Sequence, residues 1–412
     1  MRFLMACIFI LAMALFASAQ NLSNTKATVT NNTSPNRVVN SENTEYQKLR
    51  MDGFNALYNM DYKSAQAKFT QMAQILPEHP AGHFYLATNY WLELLNSSRR
   101  LQTNLYSGES FYVDTKDKVD EKVDKEFRRL LAISLEKAES NIKKNPKDVE
   151  SIYYQGAAHG LMASYEATVT RSFFSALRHG SKSVDLHRQV IELNPNYIDA
   201  YLTIGAYDYI AGSLPFAVKI LATIGGIRGS KERGLEELNL VTEKGLYAQD
   251  DARVLLITLY GRENKNVEIL NLLETLSNKY PQNYLFKIER ANTLVKLNRA
   301  TESYQLFEEL LKDKNAQKTA DLIHYQYAEA FANQGRNSDA LREFQKIKNI
   351  SGSSPELVTR AYLRAGQMLD LLTKRSEATL EYQTVLKREN VFDSHEQAKK
   401  YLQKPYVIVK GS

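Results

Sequence analysis

Cysteine is nearly missing from this 412-residue sequence. The single cysteine, Cys7, lies in an N-terminal apolar run that extends from Phe3 to Phe16. If that run is removed on export, the remaining chain carries no thiol. Disulfide scaffolds, thiolate catalysis, cysteine-ligated zinc and iron–sulfur clusters are therefore excluded for the exported chain.

A strong excess of one charge is also missing. The sequence has 53 Lys and Arg residues against 47 Asp and Glu residues, which gives a formal net charge of +6. Over this length, so mild a balance is not typical of a nucleic-acid-binding protein. No nucleic-acid partner is therefore expected.

Sequence motifs for catalysis and metal binding are lacking as well. None of the seven histidines belongs to an H-E-x-x-H array, and neither a Gly-x-Ser-x-Gly elbow nor a strand followed by Gly-x-Gly-x-x-Gly is found. His79 and His83 are four residues apart, but Pro80 places His79 outside a helix. We therefore expect no enzymatic activity, no cofactor and no bound metal.

The N-terminus has the parts of a secretory signal peptide: a basic start at Arg2, the apolar run, and the small residues Ala17-Ser18-Ala19. Cleavage after residue 19 is predicted, and the alternative is an uncleaved anchor. Export then means the periplasm or outer envelope in a bacterial host and the secretory pathway in a eukaryotic one. Residues 20–44, dominated by Asn, Thr and Ser, are predicted to form a disordered linker.

A regular spacing of small and aromatic residues begins after residue 45. Gly53 is followed twelve positions later by Ala65, and then at steps of four, three and five by Phe69, Met72 and Pro77. This spacing resembles the tetratricopeptide repeat, in which small residues let two helices approach closely and a ring fills the gap to the next pair. Three later sets repeat it: Ala291, Ser303, Phe307, Leu310; Ala328, Ala340, Phe344, Ile347; and Gly366, Ala378, Tyr382, Val385.

The resemblance implies an all-α protein, an α-solenoid of about eight helix-turn-helix repeats with helical insertions in units two to four. The predicted domains are residues 45–245 for the units with insertions, 246–390 for the regular units, and 391–412 for a capping helix and tail. The pattern has departures, since His187 stands at an aromatic position and Ile257 at a small one.

The unit-four insertion, residues 211–231, is apolar, glycine-rich and without an acidic residue. It is predicted either to form an extra buried helix or to offer an interaction surface to a partner or a membrane. In and around it, Gly205, Ser213-Leu214-Pro215 and Gly234-Leu235 resemble a segment of the inclusion-body-clearance family of tetratricopeptide proteins. That resemblance implies a shared architecture and no particular role.

Two sets of residues are candidates for contacting a partner. In tetratricopeptide proteins the first helix of each pair lines a concave groove, and the resemblance assigns six candidates to it: Arg50, Phe54, Phe84, Trp91, Tyr153 and Tyr209. The insertions are expected to share one edge of the solenoid, which adds four candidates: Phe173, Phe174, Phe216 and Arg228. For Phe54, Phe84 and Trp91 the alternative is a place in the core between repeats.

These features predict an exported, non-enzymatic scaffold or adaptor that binds a protein or peptide partner through its concave groove or its insertion edge. The alternative is a peripheral membrane protein or envelope assembly factor that contacts lipid through residues 211–231.

Overall fold

The computed structural model describes residues 44–98, 101, 120–214, 219 and 228–408. The predicted signal peptide and nearly all of the predicted linker lie outside the described residues, as does most of the unit-four insertion. Within the described part of the chain every regular element is helical, so the prediction of an all-α protein is confirmed. None of the helices described there combines the length and apolar character needed to span a membrane.

The first of two compact units contains the described residues up to Leu259. Its helices are α1 (Thr44–Tyr58), α2 (Tyr62–Ile75), α3 (Ala81–Ser97), α4 (Glu121–Lys144), α5 (Val149–Tyr165), α6 (Phe173–Leu193), α7 (Tyr201–Gly212), α8 (Lys231–Lys244) and most of α9 (Gln249–Arg262). From α1 to α8, consecutive helices pack as pairs. Two of the three pairs with predicted insertions have long second helices, since α4 has 24 residues and α6 has 21, whereas α8 has 14.

The second unit contains the described residues from Tyr260 onward. After the end of α9 its helices are α10 (Asn266–Lys279), α11 (Tyr284–Lys296), α12 (Ala300–Lys312), α13 (Ala320–Asn333), α14 (Asn337–Ile347), α15 (Pro355–Leu371), α16 (Arg375–Leu386) and α17 (Ser394–Gln403). From α11 to α16 they again pack as pairs, and α17 packs on α16 within the segment predicted to cap the chain. The predicted domain border at residue 245 lies before the division at Leu259.

Local sequence explains where many of these helices begin and where the chain turns. Asp61 caps α2 by accepting from the Ser64 backbone N–H at 3.0 Å, and Asp148 caps α5 through Ser151 at 3.2 Å. In five of the turns between successive helices, one residue has left-handed backbone angles: Met60, Asn264, Asn298, Gly335 and Thr373. Asn and Gly adopt this conformation readily, whereas a β-branched Thr does so at a cost.

Each well-matched helix pair closes around a small residue and a ring. A Cβ atom on Gly366 would lie 2.5 Å from the Tyr382 ring, and one on Gly53 would overlap Phe69. The ring at this position is completely buried in four pairs: Phe69, Phe307, Phe344 and Tyr382. Because this close packing is the physical basis of the repeat spacing, the tetratricopeptide architecture is confirmed.

His187 takes the ring position in the pair formed by α5 and α6. It is 2% exposed, and a Cβ atom on Gly156 would lie 2.8 Å from its Nε2. The same Nε2 lies 3.2 Å from the carbonyl oxygen of Tyr153, to which it donates a hydrogen bond. The departure from the repeat pattern therefore preserves the pair and adds a polar contact that a phenyl ring cannot make.

Candidate functional site

The first unit holds all six groove candidates at different depths. Arg50, Tyr153 and Tyr209 are buried, with 1%, 8% and 1% of their surface exposed, and Phe54, Phe84 and Trp91 are half-buried. Their role in binding a partner stays a prediction. The contacts around them show what already lies on this face of the helices.

Arg50 lies within a cluster of aromatic rings. Its guanidinium carbon is 4.1 Å from the ring centroid of Tyr247, 5.1 Å from that of Tyr46 and 6.0 Å from that of Tyr85. Glu150 places Oε1 at 3.8 Å from Nη2. Burial opposes the positive charge, but the surrounding tyrosines raise the pKa of Arg50 well above its ordinary value. The side chain stays charged and is held largely by ring faces.

The segment between α8 and α9, residues 245–248, covers the face of α1 that carries Arg50 and Phe54. The Tyr247 hydroxyl donates to Oε1 of Gln47 at 2.9 Å, and the Tyr247 ring meets that of Phe54 edge to face at 6.4 Å. Asp199 Oδ1 fixes the backbone of the segment by accepting from the N–H groups of Leu246 at 2.8 Å and Tyr247 at 3.2 Å. The protein's own chain thus occupies part of the face that the resemblance assigns to a partner.

Tyr153 and Tyr209 lie in the core of the first unit. The Tyr153 ring packs on Tyr197 with a centroid distance of 4.8 Å and on His187 at 5.1 Å. The backbone of Tyr209 lies so close to Gly234 that a Cβ atom there would be 2.5 Å from the Tyr209 nitrogen. Both tyrosines therefore stabilise the contacts between successive helices.

The insertion edge presents a more accessible side chain. Phe174, in the first turn of α6, is 77% exposed, the highest fraction among the large apolar side chains within the described ranges. Arg228 is also exposed. The side chains of Phe173 and Phe216 lie outside the described part of the structure. Of the four edge candidates, Phe174 and Arg228 are thus placed at the surface.

A π-helical turn, Glu166–Thr170, connects α5 to the start of α6. Glu166 is 7% exposed and accepts from Nη1 of Arg128 at 3.0 Å. Trp91, predicted for the groove, donates from Nε1 to the hydroxyl of Thr168 at 3.0 Å. These contacts tie the turn to α3 and α4, and π-helical turns often occur at functional sites.

Histidines of the first unit form a pair beside this turn. His159 and His179 place their Nδ1 atoms 2.9 Å apart. Burial lowers the pKa of both side chains, that of His159 to about 4, so the rings are neutral at neutral pH. No group of three His, Cys, Asp or Glu side chains able to hold a metal ion occurs among the residues that the structure describes.

In the second unit, Asp370 gathers several donors around a carboxylate that is 1% exposed. Its Oδ2 accepts from the Tyr382 hydroxyl and from the Tyr406 backbone N–H, each at 2.8 Å. Its Oδ1 accepts from Nη1 of Arg375 at 3.0 Å. This cluster fixes the C-terminal tail against α15 and α16.

The sequence matches no model of a known protein family and no curated protein. Among solved structures it is similar to the human IFIT1 dimer with m7Gppp-AAAA, at 12% identity over 87% of this chain and 87% of that chain, with a TM-score of 0.41. Yeast Tom70 aligns at 10% identity over 87% of each chain, with a TM-score of 0.36. A tetratricopeptide repeat protein from Parabacteroides merdae aligns at 13% identity over 86% of this chain and 97% of that chain, with a TM-score of 0.24.

Likeness at this level carries no inference about what this chain binds. The tetratricopeptide architecture follows instead from the helix pairs and from their buried small and aromatic residues. The local similarity to the inclusion-body-clearance family stays a prediction.

Proposed function

We propose that this chain is an exported, non-enzymatic scaffold that binds a protein or peptide partner at its insertion edge. The observation that supports this most directly is Phe174, a phenylalanine that is 77% exposed. Burial of such a side chain contributes about 1.5–3 kcal/mol. A partner that covers Phe174 therefore gains affinity from it, whereas the free chain leaves the ring in water.

The support beneath Phe174 suits it to act as an anchor. The turn that precedes α6 is held by the bond between Arg128 and Glu166 at 3.0 Å and by that between Trp91 and Thr168 at 3.0 Å. An anchor that is already fixed loses less conformational freedom when a partner binds. The backbone that carries Phe174 is thus held before a partner binds, as favours an aromatic anchor at a protein interface.

The proposal of export rests on the basic start, the apolar run and the Ala17-Ser18-Ala19 site. A bacterial host would then place the scaffold in the periplasm or at the outer envelope. The second candidate function is peripheral contact with a membrane through residues 211–231. Exposed Lys219 and Arg228 support it, since cations near a surface are attracted to anionic lipid.

The test compares capture of partners by the chain without residues 1–19 in three forms: wild type, Phe174→Ser and Leu380→Ser. Leu380, 64% exposed on α16, is the matched control for removal of an exposed apolar side chain. The three baits are cross-linked in the native envelope fraction, and the captured proteins are quantified. We expect a specific set that Leu380→Ser retains and Phe174→Ser loses.

Equal capture by Phe174→Ser and wild type would reject the insertion edge as the docking site. Flotation with vesicles that contain phosphatidylglycerol separates the second candidate. Binding to these vesicles that is lost when residues 214–227 are deleted, together with no captured protein, would favour the membrane function instead.

A further inference from the structure

A cleft opens between α2, α3 and α4 of the first unit, on a surface that the repeat pattern does not single out. Its volume is about 310 Å³, at the lower end of the roughly 300–1,000 Å³ typical of ligand sites. The apolar part of its wall comes from Ala73, Leu86 and Leu130, and both leucines are buried. The rest of the wall is rich in groups that form hydrogen bonds.

The charges in the cleft wall cancel. Arg129 donates from Nε and Nη2 to the two carboxylate oxygens of Glu126, at 2.8 and 2.7 Å. Burial lowers the pKa of His83, and the nearby charges of Lys137 and Arg129 lower it further, so the imidazole is neutral at neutral pH. The lining thus matches neither a free anion nor a free cation.

The neutral polar groups retain capacity for a ligand. Gln66 donates from Nε2 to the Tyr90 hydroxyl at 3.2 Å, which leaves the amide oxygen of the one and the phenol hydrogen of the other to bond elsewhere. Gln74 adds a second amide to the same wall. Nδ1 of His83 has no hydrogen-bond partner among the described residues, but it is shielded from solvent, so a ligand reaches it only if the ring turns. Two amides and a phenol therefore offer donors and acceptors to one small volume.

We propose that this cleft binds a neutral sugar ring. Each sugar hydroxyl both donates and accepts, which matches a wall of two amides, a phenol and a neutral imidazole. The carbon–hydrogen face of the ring would lie on Tyr90 and Leu86, since an aromatic body with a polar tip serves both kinds of contact. An extended peptide spreads its backbone groups along a line, whereas this cleft concentrates polar groups around one compact volume.

The binding chemistry is the same for a free monosaccharide and for the terminal residue of a glycan. The cleft lies on α2, α3 and α4, whereas Phe174 lies on α6 and is not among the residues of the cleft wall. The inference does not rest on the proposed protein-binding function. Its ligand is a neutral six-membered sugar in either case.

Saturation-transfer NMR tests the inference with the chain without residues 1–19 and four probes: glucose, galactose, mannose and N-acetylglucosamine. Two variants alter the cleft, Gln74→Leu and Tyr90→Phe. The matched control is Gln71→Leu, which changes an exposed glutamine of α2 that is not among the residues of the cleft wall. We expect at least one sugar to bind, with affinity about tenfold lower in each cleft variant and unchanged in the control.

Three results would overturn the inference: no binding of any of the four sugars, equal binding by wild type and both cleft variants, or preferential binding of glucuronate or of N-acetyl-glycyl-glycinamide. Methyl glycosides distinguish a free monosaccharide from the terminal residue of a glycan. If they bind as tightly as the free sugar, the cleft accepts the end of a glycan chain. If only the unmodified sugar binds, the ligand is a free monosaccharide.

Discussion

The ring of Tyr247 lies 4.1 Å from the guanidinium carbon of Arg50 and covers a charged side chain that is only 1% exposed. Nε and Nη1 of Arg50 have no hydrogen-bond partner within the described residues. Aromatic faces therefore stabilise the charge where hydrogen bonds from these two atoms are missing. This contact joins α1 to a segment that follows it by almost two hundred positions.

We expect Tyr247→Ala to lower the free energy of unfolding by about 2 kcal/mol, because it removes a desolvated cation–π contact and the hydrogen bond to Gln47. Urea unfolding followed by circular dichroism measures the change. The neighbouring Leu246, which is 54% exposed, provides the control. Leu246→Ala should cost less than about 0.5 kcal/mol, and equal effects of the two substitutions would show that the ring does not hold Arg50.

The turn between α15 and α16 offers a stabilising substitution. Thr373 has a φ of 61°, a conformation in which the equivalent turns carry Asn298 and Gly335. Thr373→Asn should raise the free energy of unfolding by about 1 kcal/mol, because Asn tolerates the left-handed region better than a β-branched residue. Thermal and urea unfolding provide the measurement.

The opposite change tests the same reasoning at Gly335, whose φ is 69°. Gly335→Ala should destabilise by about 1 kcal/mol, since space is open around a Cβ atom there and only the backbone conformation is unfavourable. Thr373→Asn could have no effect although Gly335→Ala has the expected one. In that case the stability lost with the Thr373 side chain equals the stability gained by relieving backbone strain.

Stability should fall in mild acid because of His187. Burial lowers its pKa in the folded protein to about 4, whereas an unfolded chain has a His pKa of about 6.5. The unfolded state takes up the proton first, so the stability contributed by the neutral ring is present above about pH 6.5 and is lost as the pH falls towards 4. The linked loss from this one side chain is about 2 kcal/mol at pH 5.

His187→Phe removes the titrating group and restores the aromatic residue that the repeat pattern expects. The decline in unfolding free energy between pH 7 and pH 5 should therefore be shallower by about 2 kcal/mol than in wild type. His159 remains in both proteins as a common background. Parallel pH profiles for the two proteins would show that His187 does not contribute to the acid sensitivity.

The helix pairs could be predicted because their determinants are close in sequence. Gly53 and Phe69 meet within one pair, and their spacing alone encodes the contact. The same spacing identified Gly366 and Tyr382 in the second unit. The resemblance to tetratricopeptide proteins also assigned Arg50 and Phe54 to one face of α1, where both contact Tyr247.

The sequence could not predict that Tyr247 covers this face of α1. Whether Tyr247 reaches Arg50 depends on how several successive helix pairs are rotated, and small rotations add up along the chain. Asp199, which holds the covering segment, looks in sequence like an ordinary residue near a helix start. The cleft was missed for a related reason, since Gln66 and Gln74 have the spacing of any solvated helix face.

The second unit provides a prediction about the C-terminal tail. Asp370→Ala would leave the buried hydroxyl of Tyr382 and the N–H of Tyr406 without the carboxylate that accepts from both at 2.8 Å. Removal of one member of a buried charged network costs about 3–5 kcal/mol. The matched control is Glu377→Ala, since this carboxylate is 57% exposed and 3.4 Å from Lys374, and its loss should cost less than about 1 kcal/mol.

Hydrogen exchange distinguishes this local role from a general loss of stability. In Asp370→Ala the amide of Tyr406 should exchange at the rate of an unprotected amide, because it loses its acceptor while the helical amides of α11 and α12 keep theirs. In Glu377→Ala the Tyr406 amide should stay protected. If the Tyr406 amide of the wild type already exchanges freely, the tail is not held by Asp370, and the cost of Asp370→Ala must come from Tyr382 and Arg375 alone.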